Sequence, residues 1–529
     1  MAGRNTQPFQ FKPRSVVDAL DGGSIAPGGL AAATNLIFDP SNPFCLECRP
    51  AAIKTYSFSG ISGAGVVSVS YVVGDICYGM ISSSLLATYD QPFAYNLATN
   101  SLVTVSGTQD EGTLPFTPTT TGKWNPPTMA LVGVLLYVTH PGFVGGDDAF
   151  FGWFDTTDPT APVWHAGNTT TNLLPTVPTC VSGFNNRAWF ACGNALNFTD
   201  TLTTNISDAT HVLTIGDSEP ITALAQQPIV TTVQGQIQSL VAFKQYVFAT
   251  ITGDAVTGDL ALNLNSSEVG TISGRTTACT PKGIMFATID GVRIIGKDGM
   301  VSEPNADLKI PFVYALDATR SSACYNNNIY RISVQNGHAN GNPIEEYWYD
   351  FRTNGWTGPH SFYQSMSSPY GNTFIAFNNV LKPGLWTSDV VQSGTSTFTE
   401  NGSSMAFLEQ TVPMPDDGGL YEGSAVLSVV DMELPQVAQS YTFVASDVNH
   451  GVLSQAQIST NSSGAIWNGF NWGTGVWTAT SYGLDRYNIP WTNPLVFSRM
   501  VWQITGTSRL GLKIGKLTIG HQPTRYVRT

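Results

Sequence analysis

The sequence predicts an all-β protein: a β-propeller of five to seven blades, preceded by an N-terminal arm and followed by a C-terminal β-sandwich. Three observations predict it. Runs of strand-like alternation recur along nearly the whole chain, as in VVSVSYVV, MALVGVLLYVTH, IQSLVAFKQYVFATITG, GIMFATIDGVRIIG, NIYRISVQ and NTFIAFNN. Each spans a few residues and stops at Gly, Asn, Asp or Pro, as strands do. A hairpin signature repeats at a blade-like interval. The composition is that of a turn-rich chain, with 52 Gly, 31 Pro and 11% aromatic residues, which favour strands and turns over helices. The best helical pattern, near PRSVVDAL, is short.

The first 55 residues are rich in Gly and Pro and read as an arm. Residues 56–400 carry the blades. Within them YNLATNSL (95–102) and YDFRTNGW (349–356) align without gaps, and WFDTTDPTAPVW (153–164) is a looser copy. In each, an aromatic and a large apolar residue close one strand. Thr-Asn with Gly or Ser makes the turn, and the Asp or Asn caps backbone N–H groups. The copies at 95–102 and 153–164 lie about 59 residues apart, and periods of roughly 40 to 60 residues with several strands each mean propeller blades. The copy at 349–356 lies roughly three such steps further on. TQDEGTLPFTPTTTGKWNPPT (108–128) reads as a loop insertion. Beyond residue 400 the pattern changes: a loop, LEQTVPMPDDGGLYEG, precedes AVLSVVDMEL, YTFVASDV, SRMVWQITG and LGLKIGKLTIGH, which suit one sandwich over 401–529.

Charge narrows the chemistry. Only 12% of residues are charged, about half the usual share, and the net charge is −13. Such a chain does not adhere to nucleic acid through phosphate neutralisation, which needs Lys and Arg. The N-terminus lacks the apolar core of a signal peptide, so synthesis and folding in a cytoplasm are expected. The seven cysteines are scattered and odd in number, as reduced core thiols are. Cys45 and Cys48 form a lone Cys-X-X-Cys with no second pair, so they read as strand residues, one facing inward, rather than as half of a zinc site. The seven histidines show no ligand spacing, and neither Gly-X-Ser-X-Gly nor a phosphate-binding loop occurs. No catalytic residue, metal or cofactor is expected. His360 reads as a hydrogen-bonded loop residue.

Four segments, in this order, resemble the β-propeller tail proteins of short-tailed bacteriophages. They are GGSIAPGGLAAATNLIFDPSNPFCLECRPAA (22–52), FNNRAWFACGNALNFTD (184–200), LVAFKQYVFATITGD with EVGTISGRTTACTPKGIMFATIDGV (240–292), and SRMVWQITGTSRLGLKIGKLTIGHQPTRY (498–526). Together they cover about a third of the chain. The resemblance implies a tail nozzle or tube protein of the virion: a hexamer below the portal and adaptor, beside tailspikes or fibres, near the host cell surface during infection. It would surround the channel that retains genomic DNA and conducts it during ejection. The family supplies no catalytic residue to carry over. The Cys-X-X-Cys and the 108–128 loop depart from its pattern.

The charge argument stands apart from that resemblance. A six-fold ring repeats every side chain six times, so two lumen arginines per copy would give on the order of 12 phosphate contacts, each steepening the salt dependence of binding. A passage that releases DNA is better lined by acidic or neutral groups. Asp110, Glu111, Asp147, Asp148, Asp416 and Asp417 sit in Gly/Pro/Thr-rich loops and are the candidate channel or gate acids; each also reads as an ordinary solvated acid. The rival reading is a receptor- or carbohydrate-binding tail protein, with WNGFNWGTGVW (467–477) offering rings for stacking on sugars. A propeller glycosidase is a further alternative. ISTNSSGAIW (458–467) is similar to a sialidase Asp-box, but Asn replaces Asp, one residue is inserted, and the motif occurs once.

Overall fold

The structure is a computed structural model. It describes residues 7–526 apart from 19–27, 57–66, 83–88, 108–113, 116–126, 141–147, 169–173, 207–210, 233–234, 255–257, 266–267, 272, 305–307, 317–320, 379–384, 391–397, 401, 415–420, 436–437, 449–450, 461–483, 494 and 498. Strands dominate: among the described residues the helices are one α turn, Ile310–Val313, and one 3-10 turn, Gly274–Thr276. Ser15–Val16, within the best helical pattern, is instead a short strand paired with Gly29 and Leu30. Two compact units result: Lys54–Ile344 with Tyr363–Ser388, and Met1–Ile53 with Glu345–Phe362 and Asp389–Thr529.

The first unit is a β-propeller. Antiparallel meanders follow one another, opened by Val67–Val73, Thr128–Val132, Val181–Phe184, Ala223–Thr232, Ala278–Thr280, Ser322–Asn326 and Met366–Tyr370. Each of these seven opening strands neighbours the next, and the Met366–Tyr370 strand neighbours Val67–Val73, so the ring closes on itself at seven blades. The second strands explain the near-continuous apolar runs: Arg187–Cys192 and Gly283–Thr288 are buried at every position. A blade is covered on both faces by its neighbours, so alternation gives way to apolar character throughout. The cores lie between blades. Tyr137 and Phe151 of the second blade pack with Phe190 of the third; Trp189 and Phe198 of the third pack with Leu240 and Ile251 of the fourth; Phe243 and Phe248 of the fourth pack with Phe286 and Ile295 of the fifth.

The second unit is a β-sandwich, and it draws on three stretches of chain. One sheet runs Leu36–Asp39, Asn42–Cys48, Lys513–Tyr526, Tyr421–Glu433 and Asp485–Asn488, with Gln7–Phe11 also on Lys513–Tyr526. The other carries Gly29–Thr34, Ala406–Thr411, Met500–Thr507, Gln439–Asp447 and Gly451–Thr460, with the Ile344–Asp350 and Gly355–His360 hairpin beside Gly29–Thr34. The division expected at residues 55 and 400 therefore differs from the observed one. The first 53 residues are not a separate arm. Their apolar residues Leu30, Leu36, Phe38 and Leu46 are all fully buried, and an arm cannot bury such a set alone. The 345–362 stretch groups with this unit by contacts, and its two strands also follow Ile329–Gln335 in the meander opened by Ser322–Asn326, as the expected blade strands would.

The recurring hairpin is built as its sequence implies. In the first blade Asn96 Oδ1 accepts from Thr99 N at 2.9 Å, and Tyr95 Oη donates to Asn100 Oδ1 at 2.7 Å. In the sandwich Asp350 Oδ1 accepts from Arg352 N at 2.8 Å, and Tyr349 Oη donates to Asn354 Oδ1 at 3.4 Å. Asn100 and Asn354 both take φ of 54°, a left-handed conformation that Asn tolerates and most residues resist. In the looser copy Asp155 Oδ1 accepts from Thr157 N at 2.9 Å.

Candidate functional site

Asp110, Glu111, Asp147, Asp416 and Asp417 lie outside the described residues. Asp148 opens the Asp148–Asp155 strand, opposite Asn168, and its side chain is not among those described. The 467–477 aromatics, and all but the first three residues of 458–467, also fall outside. The described residues offer three other features, the propeller axis and two polar clusters of the sandwich; of their members sequence reasoning singled out His360, Cys45 and Cys48.

The first is the axis of the propeller, where ring folds leave a central channel. Here the axis is crossed. The Gly274–Thr276 turn sits beside the opening strand of the sixth blade, and from it Arg275 Nη2 donates to the Ser68 carbonyl of the first blade. Tyr71, also of the first blade, lies close enough to Cys279 of the fifth that its hydroxyl is pushed up by burial and then by that thiol. Cys279 Sγ contacts the Gln226 carbonyl at 2.7 Å, and Ser70 bonds to Ser368 Oγ at 2.9 Å. The Arg275–Ser68 bond and the closeness of Tyr71 to Cys279 link blades that are not neighbours, whereas the Cys279–Gln226 and Ser70–Ser368 contacts join adjacent ones.

The second is a buried charge cluster that joins the three stretches of the sandwich. Arg49 is 1% exposed and Glu400 9%. Arg49 Nη2 donates to Glu400 Oε1 at 2.8 Å and Oε2 at 2.9 Å, and Arg49 Nε donates to Asn35 Oδ1 at 2.9 Å. Ser361 Oγ donates to Glu400 Oε2 at 2.6 Å, and Ala52 N donates to Glu400 Oε1 at 3.0 Å. Asn35 N donates to His360 Nδ1 at 3.1 Å, while Asn35 Nδ2 reaches the Ala406 carbonyl at 2.6 Å. His360 thus ends a strand and holds the backbone of another segment. The arrangement saturates both charges, the condition for burying an ion pair without a large penalty. It is a clamp: its carboxylate is engaged by an arginine, a serine and a backbone amide.

A third group lies on the other sheet. Asp39 accepts from Lys513 Nζ at 2.7 Å, and Glu433 stands 3.9 Å from the same ammonium. Glu47 lies opposite Lys513 in register; its carboxyl is pushed up to about 7, by burial first and then by Asp39. Glu409, 2% exposed, has an Oε2 with no hydrogen-bond partner, and burial pushes it up to about 8. Cys45 and Cys48 share the Asn42–Cys48 strand, Cys45 fully buried, and burial pushes both thiols up to about 12. A thiol so raised stays protonated at neutral pH. Among the described residues no group of three His, Cys, Asp or Glu is arranged to hold a metal ion.

No protein-family model matches this chain, and no curated protein matches it. Several solved structures are similar in part. The Dos1 propeller aligns over 68% of this chain and 91% of its own at 9% identity, with a TM-score of 0.34. A puromycin hydrolase aligns over 69% of this chain and 62% of its own at 12% identity, TM-score 0.31. The exo-β-1,3-galactanase of Phanerochaete chrysosporium aligns over 89% and 99% at 9% identity, TM-score 0.27.

Proposed function

We propose that this chain is a structural, non-catalytic subunit of a short-tailed phage tail, a nozzle or tube component of the virion. In this reading six copies form a ring attached to the portal and adaptor complex, alongside tailspike or fibre proteins. The ring retains genomic DNA and then conducts it toward the host cell without holding it tightly. One observation carries the reading. The two segments of the resemblance furthest apart in sequence, 22–52 and 498–526, meet as paired strands of one sheet: Lys513 stands opposite Glu47 and Ile514 opposite Leu46, with Lys513 bonded to Asp39. The other two segments lie on the third blade and on the fourth and fifth. Two of the four segments thus fold together in one sheet, and the other two are blade strands.

The crossed propeller axis adds a geometric condition. DNA would run between copies, along the symmetry axis of the ring, and never through the blades of one chain. A net charge of −13 per copy suits a wall that repels a polyanion. The test is electron microscopy of the purified protein: six-fold particles with a central hole near the width of duplex DNA support the reading. Trimers that bind glycans on an array would favour the adhesin reading, and monomers that depolymerise a polysaccharide would favour an enzyme.

A further inference from the structure

The strand Gly451–Thr460 ends one sheet of the sandwich. Among the described residues it has a single strand neighbour, Gln439–Asp447. Its outward side can be read from one bond: the Gln455 carbonyl accepts from Thr492 N at 3.4 Å and from Thr492 Oγ1 at 3.2 Å. Backbone groups alternate along an antiparallel strand. With Gln455 pointing away from its neighbour, Gln457 and Ser459 point away too, and Ala456 and Ile458 bond inward. Thr492 and Asn493 cover the strand only as far as Ser454 and Gln455. Among the described residues nothing pairs with the outward backbone N–H and C=O groups of Gln457 and Ser459.

Open edges invite another strand, and proteins normally guard them with charge, proline or a covering segment. At the corresponding end of the other sheet, Asp485–Asn488 carries Asp485 and Arg486, with Arg486 Nε 3.2 Å from Asp431. The strand GVLSQAQIST carries neither charge nor proline, and among the described residues its covering segment stops at Gln455. It lies inside residues 448–484, the longest stretch of the chain without Asp, Glu, Lys or Arg. Two valines at its turn end, Val448 and Val452, are 51% and 61% exposed. Copies that each carry −13 repel across most of their surfaces, so they approach where neither brings charge.

We infer that the outward edge of Gly451–Thr460, at Gln457 and Ser459, is an assembly edge that takes a strand from a second copy of this chain. The inference rests on the proposed ring and specifies one of its contacts. A neighbour's strand completes the ladder through backbone hydrogen bonds at Gln457 and Ser459. In a closed ring the contact is head to tail, so every copy offers this edge once.

The experiment compares the wild type with Gln457→Pro, which removes one outward N–H and leaves the inward bonds intact, and with Gln457→Lys, which places charge on the edge. Mass photometry reads the assembly, and backbone hydrogen exchange reads the Gln457 and Ser459 amides. The expected result is a wild-type oligomer with both amides protected, losing that protection on dilution to monomers. Both variants, with unchanged circular dichroism and melting, should need about tenfold higher concentration per contact to assemble. If the variants assemble like the wild type, or the two amides are unprotected in its oligomer, this edge is overturned while the ring stands. Protection of both amides in monomers would mean that the chain covers its own edge, and would also overturn it. A wild type that stays monomeric at every concentration overturns the ring and this edge together.

Discussion

Glu409 gives the most quantitative test of how the sandwich is built. It faces inward on Ala406–Thr411, between Ala33 and Ile504 of the flanking strands, and its Oε2 has no hydrogen-bond partner. Burial raises its carboxyl from 4.5 to about 8. The folded chain therefore binds this proton more tightly than the unfolded one. Stability is fully present below pH 4.5, falls as pH rises toward 8, and is level above. Between those two values each step of one pH costs about 1.4 kcal/mol, because the unfolded carboxyl is ionised and the folded one is not. The loss is about 3 kcal/mol at pH 7 and about 5 kcal/mol at pH 9. Glu409→Gln keeps the shape and removes the charge. Its advantage over the wild type should be near zero at pH 4.5 and grow to those values. For a unit of this size that is a rise in melting temperature of about 6–12 °C at pH 7. Scanning calorimetry of both proteins from pH 4.5 to 9 measures it. A difference that stays flat across that range would refute the picture of an unpaired carboxyl between the sheets.

Other consequences follow from neighbouring groups. Arg49→Met or Glu400→Leu alone strands a buried charge and should cost about 3–5 kcal/mol, whereas the double variant loses much less than the sum; urea unfolding reads the cycle, and additive losses would contradict the clamp. Asn354→Ala should cost about 1 kcal/mol because of its left-handed backbone, and Asn354→Gly only a few tenths; equal melting temperatures for the two would remove that explanation. Glu47→Gln should remove a smaller pH dependence between 4.5 and 7, about 1–2 kcal/mol after allowance for its partial exposure, visible as a shallower fall of melting temperature over that range.

Much of the fold was legible because period and turn chemistry are local. Alternating runs and Tyr-Asp/Asn-X-X-Thr-Asn hairpins mark strands and turns whatever surrounds them, and blade after blade repeats the same meander. The units were harder to read. Nothing local in residues 1–53 says that Gln7–Phe11 and Asn42–Cys48 will pair with Lys513–Tyr526, near the other end of the sequence. The hairpin at 345–360 has blade-like turn chemistry and follows Ile329–Gln335 as blade strands do, but its outer strand also pairs with Gly29–Thr34. Turn chemistry fixes a hairpin, not its neighbours. The acids singled out in loops were chosen by composition, and apart from Asp148 they lie outside the described residues. The groups that hold the sandwich together, Asn35, Arg49, Ser361 and Glu400, gave no signal, because a buried ion pair is made by residues that sequence spacing does not bring together. Glu409 was missed because LEQTVPMPDDGGLYEG was read as a loop, whereas its first residues belong to the strand Ala406–Thr411.

The central claim is a ring of copies around a passage that no single chain contains. Electron microscopy of the assembled protein, fine enough to place individual blades, tests it most directly. The account predicts six propellers around an empty axis of duplex width, each with its own axis crossed by Arg275 and Ser68. A six-fold hole lined with lysine and arginine, or an open bore through the blades of one chain, would contradict it.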